Sequence, residues 1–305
     1  HDRFTLDTSV YLMAMVIIGG TATLVGPIVG TVLILLLPAV LSYLPGLPAT
    51  EIVFFRNAYA IVWMIPAVCY FGWRNLKPER PVQLVWRSLV GVASMELWFY
   101  SLAVLPVNVA NALGFTAPLF GTLFAVIFLK ESLNSRLVFM LVAGFCGALI
   151  ILEPWQAVTV WHLSDAVIGL VSAAMVAIGA ILVKSLTNTE PAWRIVFFST
   201  SIMCVLSLPG AWLHWQMPAW DQTAYAAMVA LFAMLGQLCV VCAFARAPVT
   251  IILPFNFTGL VFTALLAWIS LGEIITRETF IGSVIIIASS LLVAREEAKR
   301  QGKVT

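Results

Sequence analysis

Long apolar runs separated by short polar breaks dominate the sequence. A helix needs about 20 predominantly apolar residues to cross a bilayer, so the runs predict a polytopic α-helical membrane protein with about ten transmembrane helices. The longest polar stretch between runs covers residues 74–87 and is too short to hold a soluble domain. The predicted helices span residues 25–44, 51–71, 87–104, 107–129, 136–152, 163–183, 194–210, 222–244, 248–270 and 278–294.

The composition excludes an ordinary soluble domain. Hydrophobic residues make up 62% of the 305 residues and charged residues only 10%, whereas soluble domains carry about 25% charged residues. A net charge of +2 provides no basic surface for nucleic acid, so membrane lipid is the expected surrounding. The 5 cysteines fall inside apolar runs and the 3 histidines are scattered, so we expect no disulfide, metal site or cofactor.

The distribution of Lys and Arg predicts the orientation of the helices. Basic residues accumulate on the cytoplasmic side of membrane proteins. If the helix at 25–44 begins in the cytoplasm, only Arg56 and Arg277 fall on the outer side. We therefore expect the 74–87 loop and the C-terminus to be cytoplasmic and the chain to lie in the inner (plasma) membrane. The basic residues on the inner side are then Arg74, Lys77, Arg80, Arg87, Lys130, Arg136, Lys184, Arg194, Arg246, Arg295, Lys299, Arg300 and Lys303.

The chain contains an internal repeat at an offset of 142 residues. Residues 103–131 and 245–273 agree at 11 of 29 positions. Because each half holds an odd number of predicted helices, the second half must enter the membrane with the opposite polarity. Inverted repeats of this kind are typical of secondary transporters, which bind solute near the midplane between the two halves. The matched pairs include Pro106 with Pro248, Thr116 with Thr258, Phe120 with Phe262 and Glu131 with Glu273.

Four stretches of the sequence resemble the EamA-type transporters of the drug/metabolite transporter superfamily. They are LPATEIVFFRN (47–57), ALGFTAPLFGTLFAVIFLKE (112–131), GFCGALIILEP (144–154) and the second-half counterpart that ends at Glu273. The resemblance covers about residues 45–295. It implies ten helices in two inverted five-helix repeats, and the export or exchange of small metabolites such as amino acids.

The N-terminal segment resembles a different family. Its IGG and GPxxG motifs are similar to the C-terminal part of branched-chain amino acid ABC permeases of the LivM type. We therefore divide the chain into a LivM-like segment at 1–45 that supplies the first helix, EamA-like repeats at 46–155 and 156–295, and a basic tail at 296–305. A membrane subunit of an ATP-driven branched-chain amino acid permease is the alternative function.

Glu96 is the one acid well inside an apolar run. Charging a carboxylate near mid-bilayer costs about 2.5 kcal/mol or more, so such groups usually face a cavity or a partner. Tyr100 lies one turn further on the same face, and Gln237 lies beside the position that matches Glu96 in the second repeat. Glu96 is therefore a candidate to carry a coupling proton or to bind a substrate amine. The alternative is a neutral acid that ties two helices together.

Polar residues near helix-breaking prolines are further candidates to bind solute: Asn108, Asn111 and Asn256. Proline frees a backbone carbonyl, and a broken helix can offer its polar groups to a solute. The alternative role of these asparagines is hydrogen bonding between helices. Ser172 is also a candidate, although a bond back to its own helix is the more ordinary role for it and for Thr116 and Thr258.

Three charged residues near helix ends have structural explanations. Glu131 and Glu273 each follow one helix and precede the next, where an acid can cap backbone N–H groups. Arg56 is expected to snorkel or to pair with Glu153, with contact to an anionic substrate as the alternative. The sequence contains no HExxH or Walker A motif and no Ser/His or paired-Asp arrangement within the helices, so we expect no enzyme.

Overall fold

The computed structural model describes residues 49–156, 162–213, 215, 220–271 and 274–301, and every regular element in these ranges is helical. The predicted helix at 25–44 and the predicted cap Glu273 lie outside the described residues. The helices are α1 (Ala49–Phe71), α2 (Pro81–Val104), α3 (Val107–Gly114), α4 (Ala117–Leu129), α5 (Ser135–Leu152), α6 (Leu163–Leu186), α7 (Ala192–Leu213), α8 (Trp220–Arg246), α9 (Val249–Ile252), α10 (Thr258–Leu271) and α11 (Arg277–Gln301). Short 3₁₀ segments lie at Trp73–Leu76, Pro154–Gln156 and Leu253–Phe257.

The described helices fit a membrane protein. Six segments are long and apolar enough to cross a bilayer by length and composition. Large apolar side chains cover the outside of the described part: Phe139 is 71% exposed and Val205 69% exposed. Such side chains are favourable against lipid tails and unfavourable against water. The six segments are Phe54–Phe71, Asn108–Leu129, Ser135–Gln156, Leu163–Leu186, Ala192–Trp212 and Ala226–Arg246.

Helix α2 begins earlier than the sequence analysis predicts. The predicted start at residue 87 coincides with Arg87, the last charge before the apolar run, but the helix begins at Pro81. Proline is favourable at the first helical position, because its fixed φ suits the helix and its missing N–H would be unbonded there. Arg87 therefore lies inside α2, and the prediction that it belongs to the loop before this helix is wrong.

Two predicted spans are broken in the middle at equivalent positions. In the first, Phe115 and Thr116 separate α3 from α4; in the second, the 3₁₀ segment separates α9 from α10. Thr116 Oγ1 donates to the carbonyl of Leu113 at 2.5 Å, and Thr258 Oγ1 donates to Phe255 at 2.6 Å, as predicted for bonds to their own helix. The two breaks touch each other, since the Phe115 and Phe257 rings have centroids 6.1 Å apart.

Small residues allow close packing of α5 against α11. A Cβ placed on Gly282 would lie 2.6 Å from the carbonyl oxygen of Gly147 and 2.5 Å from a side-chain carbon of Ile151. Close backbone approach through small residues is a general means of helix association in membranes, where burial of apolar surface gives little driving force. Helix α2 packs along α6 and α7, and α1 packs along α7 and α8.

Two carboxylates join segments that are distant in sequence. The Glu131 oxygens accept hydrogen bonds from the backbone N–H groups of Val249 and Thr250 at 2.9 and 3.0 Å. Glu131 therefore caps a helix, as predicted, but the helix is α9 rather than the next one in the chain. Glu190, only 3% exposed, accepts from the backbone of Glu79 and Arg80 just before α2.

Candidate solute-binding cavity

A cavity of about 350 Å³ lies among α1, α2, α3, α4, α6, α7, α8 and the 3₁₀ segment at Leu253–Phe257. Its size fits a small organic ligand, whose binding sites are typically 300–1,000 Å³. The lining is mostly apolar, with single polar groups from several helices. The polar lining residues are Arg56, Asn57, Arg87, Ser94, Asn111, Ser172, Thr200, Gln237 and Asn256.

One face of α2 forms a long wall of the cavity. The lining residues are spaced by about one helical turn along that face, which is the spacing that places side chains one above another. Arg87 and Trp98 are the outermost of them, about 16 Å apart along the axis at 1.5 Å per residue. The wall therefore extends from a cationic end to an aromatic end. Its residues are Arg87, Gly91, Ser94, Met95 and Trp98.

The guanidinium of Arg87 lies against two glycines. A Cβ at Gly91 would lie 2.6 Å from Nη1 of Arg87, and a Cβ at Gly179 on α6 would lie 4.0 Å from Cζ. The absence of a side chain at Gly91 makes room for the guanidinium to lie along α2. Its Nε is buried and has no hydrogen-bond partner among the described residues.

Helix α1 adds a second unpaired donor group to the cavity. Asn57 lines the cavity and is only 2% exposed, and its Nδ2 has no hydrogen-bond partner among the described residues. The neighbouring Arg56 also lines the cavity. Of its two predicted roles, snorkelling or pairing with Glu153, the second is wrong, because the Glu153 carboxylate accepts instead from Gln156 at 2.8 Å. Buried donors without acceptors are energetically costly, so this group of side chains is suited to bind an acceptor from outside the protein.

The cavity is electrostatically one-sided. Its lining residues include Arg56 and Arg87, and its described lining includes no Asp or Glu. The ion pair found in the described part of the chain joins Arg194 to Glu190, so neither cavity arginine takes part in one. A charged side chain inside a membrane protein costs at least about 2.5 kcal/mol unless it is compensated. The described lining of the cavity thus carries positive charge with no acidic side chain beside it.

Four of the predicted substrate-binding residues line the cavity together. They come from α3, α6, α8 and the 3₁₀ segment of the second broken span. The structure corrects the expected bonding of one, because Ser172 Oγ donates across to the carbonyl of Ser94 on α2 at 2.9 Å rather than back to its own helix. The four residues are Asn111, Ser172, Gln237 and Asn256.

The other three predicted residues are not among those that line the cavity. Glu96 and Tyr100 are exposed on α2. Glu96 is nine residues from Arg87 and therefore about 180° around the helix at 100° per residue. Glu96 is thus not among the described lining residues of this cavity, and its role in binding or proton coupling stays a prediction. Asn108 Nδ2 donates to the carbonyl of Glu153 at 3.1 Å, a bond that joins α3 to the end of α5.

Arg87 and Asn57 line the cavity but are not among the binding residues predicted from the sequence. A boundary drawn at the last charge before an apolar run places that charge at the helix end, where it is expected to face the membrane surface rather than a cavity. The signal that could have included Arg87 is Pro81, because proline is a common first residue of a helix. For Asn57, the polar pair that it forms with Arg56 within an apolar run gave a comparable signal.

Comparison with known proteins identifies the family. The chain matches the EamA-like transporter family in two segments, residues 11–153 and 164–295. The chain belongs to this family. The family consists of transporters, so the chain is a membrane transporter. The match extends through most of residues 1–45, where the sequence analysis placed only the LivM-like resemblance; that second resemblance stays a prediction.

Curated relatives of this EamA-like chain are named for different solutes. It is 28% identical over 253 residues to an S-adenosylmethionine uptake transporter of Rickettsia bellii, covering 83% of this chain and 86% of the relative. It is 27% identical over 250 residues to a pseudopaline exporter of Pseudomonas aeruginosa, covering 82% and 87%. It is 28% identical over 261 residues to a riboflavin transporter of Vibrio cholerae, covering 84% and 86%.

A solved crystal structure has the same fold. It matches with a TM-score of 0.73 at 18% identity, covering 94% of this chain and 98% of the other. At this identity the likeness concerns the fold alone.

Proposed function

We propose that this EamA-like protein is a secondary transporter that moves a small organic metabolite across the inner membrane by alternating access. The observation that carries the proposal is the cavity, which is lined by helices from both halves of the chain and contains buried polar atoms without hydrogen-bond partners among the described residues. Solute sites between the halves, at broken helices, are typical of secondary transporters.

Ten helices in two inverted repeats are part of this proposal. Several features of the described residues support it. The family match falls into two segments, the two broken spans lie 142 residues apart in sequence, and α1 and α7 each contain a proline, Pro66 and Pro209, at an offset of 143. The contact of α2 with α7 also has a counterpart in the contact of α8 with α1.

The proposed substrate is a small metabolite, and the relatives suggest several chemical classes for it. The relatives are named for S-adenosylmethionine, pseudopaline and riboflavin, and they include both an uptake protein and an exporter. Amino acids, implied by the sequence resemblance, are one class to test. Proton coupling also stays a prediction. Within the proposal, the side chains that contact the solute are Asn111, Ser172, Gln237 and Asn256.

Reconstitution in liposomes tests the proposal. Purified protein is assayed for uptake of radiolabelled S-adenosylmethionine, riboflavin and an amino-acid mixture. We expect saturable uptake of at least one, abolished by Ala180→Phe, which fills the cavity from α6. The matched control is Val171→Phe on the same helix, where the side chain is 45% exposed and lies outside the described cavity lining. Equal loss in both variants, or uptake no faster than in protein-free liposomes, contradicts the proposal.

A further inference from the structure

We infer that the cavity binds an organic anion, with a carboxylate of the solute held by Arg87. The inference rests on the proposed function, because it names the substrate class of the same cavity. It starts from the charge of the described lining, which includes two arginines and neither Asp nor Glu. A site with this charge attracts anions and repels cations.

The chemistry of Arg87 fits a carboxylate. A guanidinium presents a planar fork of N–H donors that matches the two oxygens of a carboxylate, and such pairs are often bidentate. No carboxylate of the described residues pairs with Arg87, and its Nε is buried without a hydrogen-bond partner among them. The donors are therefore available to a solute.

The surroundings of Arg87 place the guanidinium in the cavity. Gly91 leaves the space that Nη1 occupies, and the Sδ of Met203 lies 3.6 Å from where a Cβ of residue 91 would be. On α6, the backbone near Gly179 closes the opposite side without a side chain. A solute carboxylate at Arg87 would thus have an apolar, adaptable neighbour in the methionine thioether.

The rest of the cavity specifies the other end of the solute. Between Arg87 and Trp98 the cavity wall formed by α2 is apolar except at Ser94. Four methionines also line the cavity: Met95, Met175, Met203 and Met234. Aromatic and thioether groups pack against apolar or aromatic surface. The favoured solute therefore has a carboxylate at one end and a largely apolar body that also offers a few hydrogen-bonding groups to the cavity amides.

Binding by the purified full-length protein tests this directly. Thermal unfolding is measured with the straight-chain monocarboxylates from acetate to octanoate and with 4-phenylbutyrate, each against its uncharged primary amide. We expect the Tm to rise with one or more of the carboxylates and with none of the amides. Arg87→Gln should weaken that binding by about tenfold to hundredfold, as expected for loss of a charged hydrogen-bonded partner. Arg87→Lys should keep part of the affinity.

Controls separate a binding role from a structural one. Arg246→Gln removes an exposed charge at the end of α8 and should bind like the wild type. Arg87→Gln without ligand should unfold at a Tm equal to or above that of the wild type, because the guanidinium has no protein carboxylate to lose. A lower Tm, a shift with the amides, no carboxylate-specific shift in the whole series, or binding of the matching alkyl phosphates in place of carboxylates overturns the inference.

Transport assays distinguish failure of the inference from failure of the proposed function. If a carboxylate binds at Arg87 but liposomes containing the protein do not take it up, the anion site stands and the transport function fails. If uptake of an uncharged or cationic solute is unchanged by Arg87→Gln, transport stands and the anion site is wrong.

Discussion

The carboxylate of Glu131 lies across the N-terminus of α9, with Oε1 2.9 Å from the backbone nitrogen of Val249. The acid follows α4 in the first half of the chain, and the helix that it caps opens the second broken span. Close by, Lys184 Nζ donates to the carbonyls of Phe244 and Ala247 at 2.6 and 2.9 Å, where α8 ends. Charged side chains thus satisfy the backbone groups on both sides of the α8–α9 turn.

Removal of the Glu131 carboxylate should lower stability. Glu131→Ala leaves two backbone N–H groups, those of Val249 and Thr250, without acceptors, so we expect a loss of about 1–3 kcal/mol. Glu131→Gln keeps one acceptor oxygen, so its stability should lie between those of the wild type and Glu131→Ala. Thermal unfolding in detergent measures both, with Glu79→Ala as the exposed control. The cap has no such role if Glu131→Ala unfolds at the same temperature as Glu79→Ala.

The close approach of α5 and α11 should not tolerate a methyl group. In Gly282→Ala the new Cβ meets the backbone of Gly147 and the side chain of Ile151, and the backbone cannot move aside cheaply. Overpacking of this kind costs about 1–3 kcal/mol. Gly179→Ala is the matched control, because its Cβ has no neighbour closer than 4.0 Å. Equal Tm values for the two variants would show that these helices separate without cost.

A methyl group at Gly91 should affect binding more than folding. The atom in its way is Nη1 of Arg87, the end of a flexible side chain, so Gly91→Ala should move the guanidinium at little cost in Tm. We expect several-fold weaker binding of the carboxylate that stabilises the wild type. Val171→Ala on α6, outside the described lining, should bind like the wild type. Unchanged affinity in Gly91→Ala would mean that the position of this guanidinium does not matter to the ligand.

The orientation of the chain can be measured by cysteine labelling in intact cells. In a cysteine-free background, Gln156→Cys should react with a membrane-impermeant maleimide added outside, and Lys77→Cys only after the cells are permeabilised. Both side chains are exposed. This labelling pattern is expected because Lys and Arg are in excess on the side of the membrane predicted for residue 77, which is then the cytoplasmic side. The reverse labelling pattern would refute the predicted topology.

Glu96→Gln should leave transport and its pH profile unchanged. Glu96 is exposed on the opposite side of α2 from Arg87, so loss of its charge does not alter the cavity. Initial uptake rates across a pH series measure this, and Asn111→Leu, which removes a cavity amide, serves as the variant that should lose activity. A pH dependence present in the wild type and lost in Glu96→Gln would restore this acid as a coupling site.

The apolar runs predicted the described helices well because each helix must match the thickness of the bilayer. Runs of hydrophobic residues are readable without tertiary information, and the predicted segment 163–183 falls within α6, which extends to Leu186. The break between α3 and α4 lies inside the predicted span 107–129 and gave a weaker signal, since Pro118 follows the break rather than marking it.

The face that a polar residue occupies was harder to predict. Glu96 and Ser94 are two residues apart on α2, yet one is exposed and the other lines the cavity. Hydropathy shows only that both residues lie within a predicted span. Which side of the helix each one occupies relative to the cavity depends on the helices that pack against α2. Bonding partners across helices, such as Ser172 with Ser94, depend on the same packing and have no signature in the sequence.

If access alternates as proposed, the two arginines that line the cavity would make the protein sensitive to voltage. Moving one elementary charge through 100 mV changes its energy by about 2.3 kcal/mol. When access switches from one side to the other, the cavity takes the electrical potential of the side to which it is open, so fixed cations such as Arg56 and Arg87 cross part of the field without leaving the protein. An inside-negative membrane would favour the conformation open to the cytoplasm while the cavity is empty. A bound monoanion would cancel part of that charge, so the loaded and empty forms would respond to voltage by different amounts.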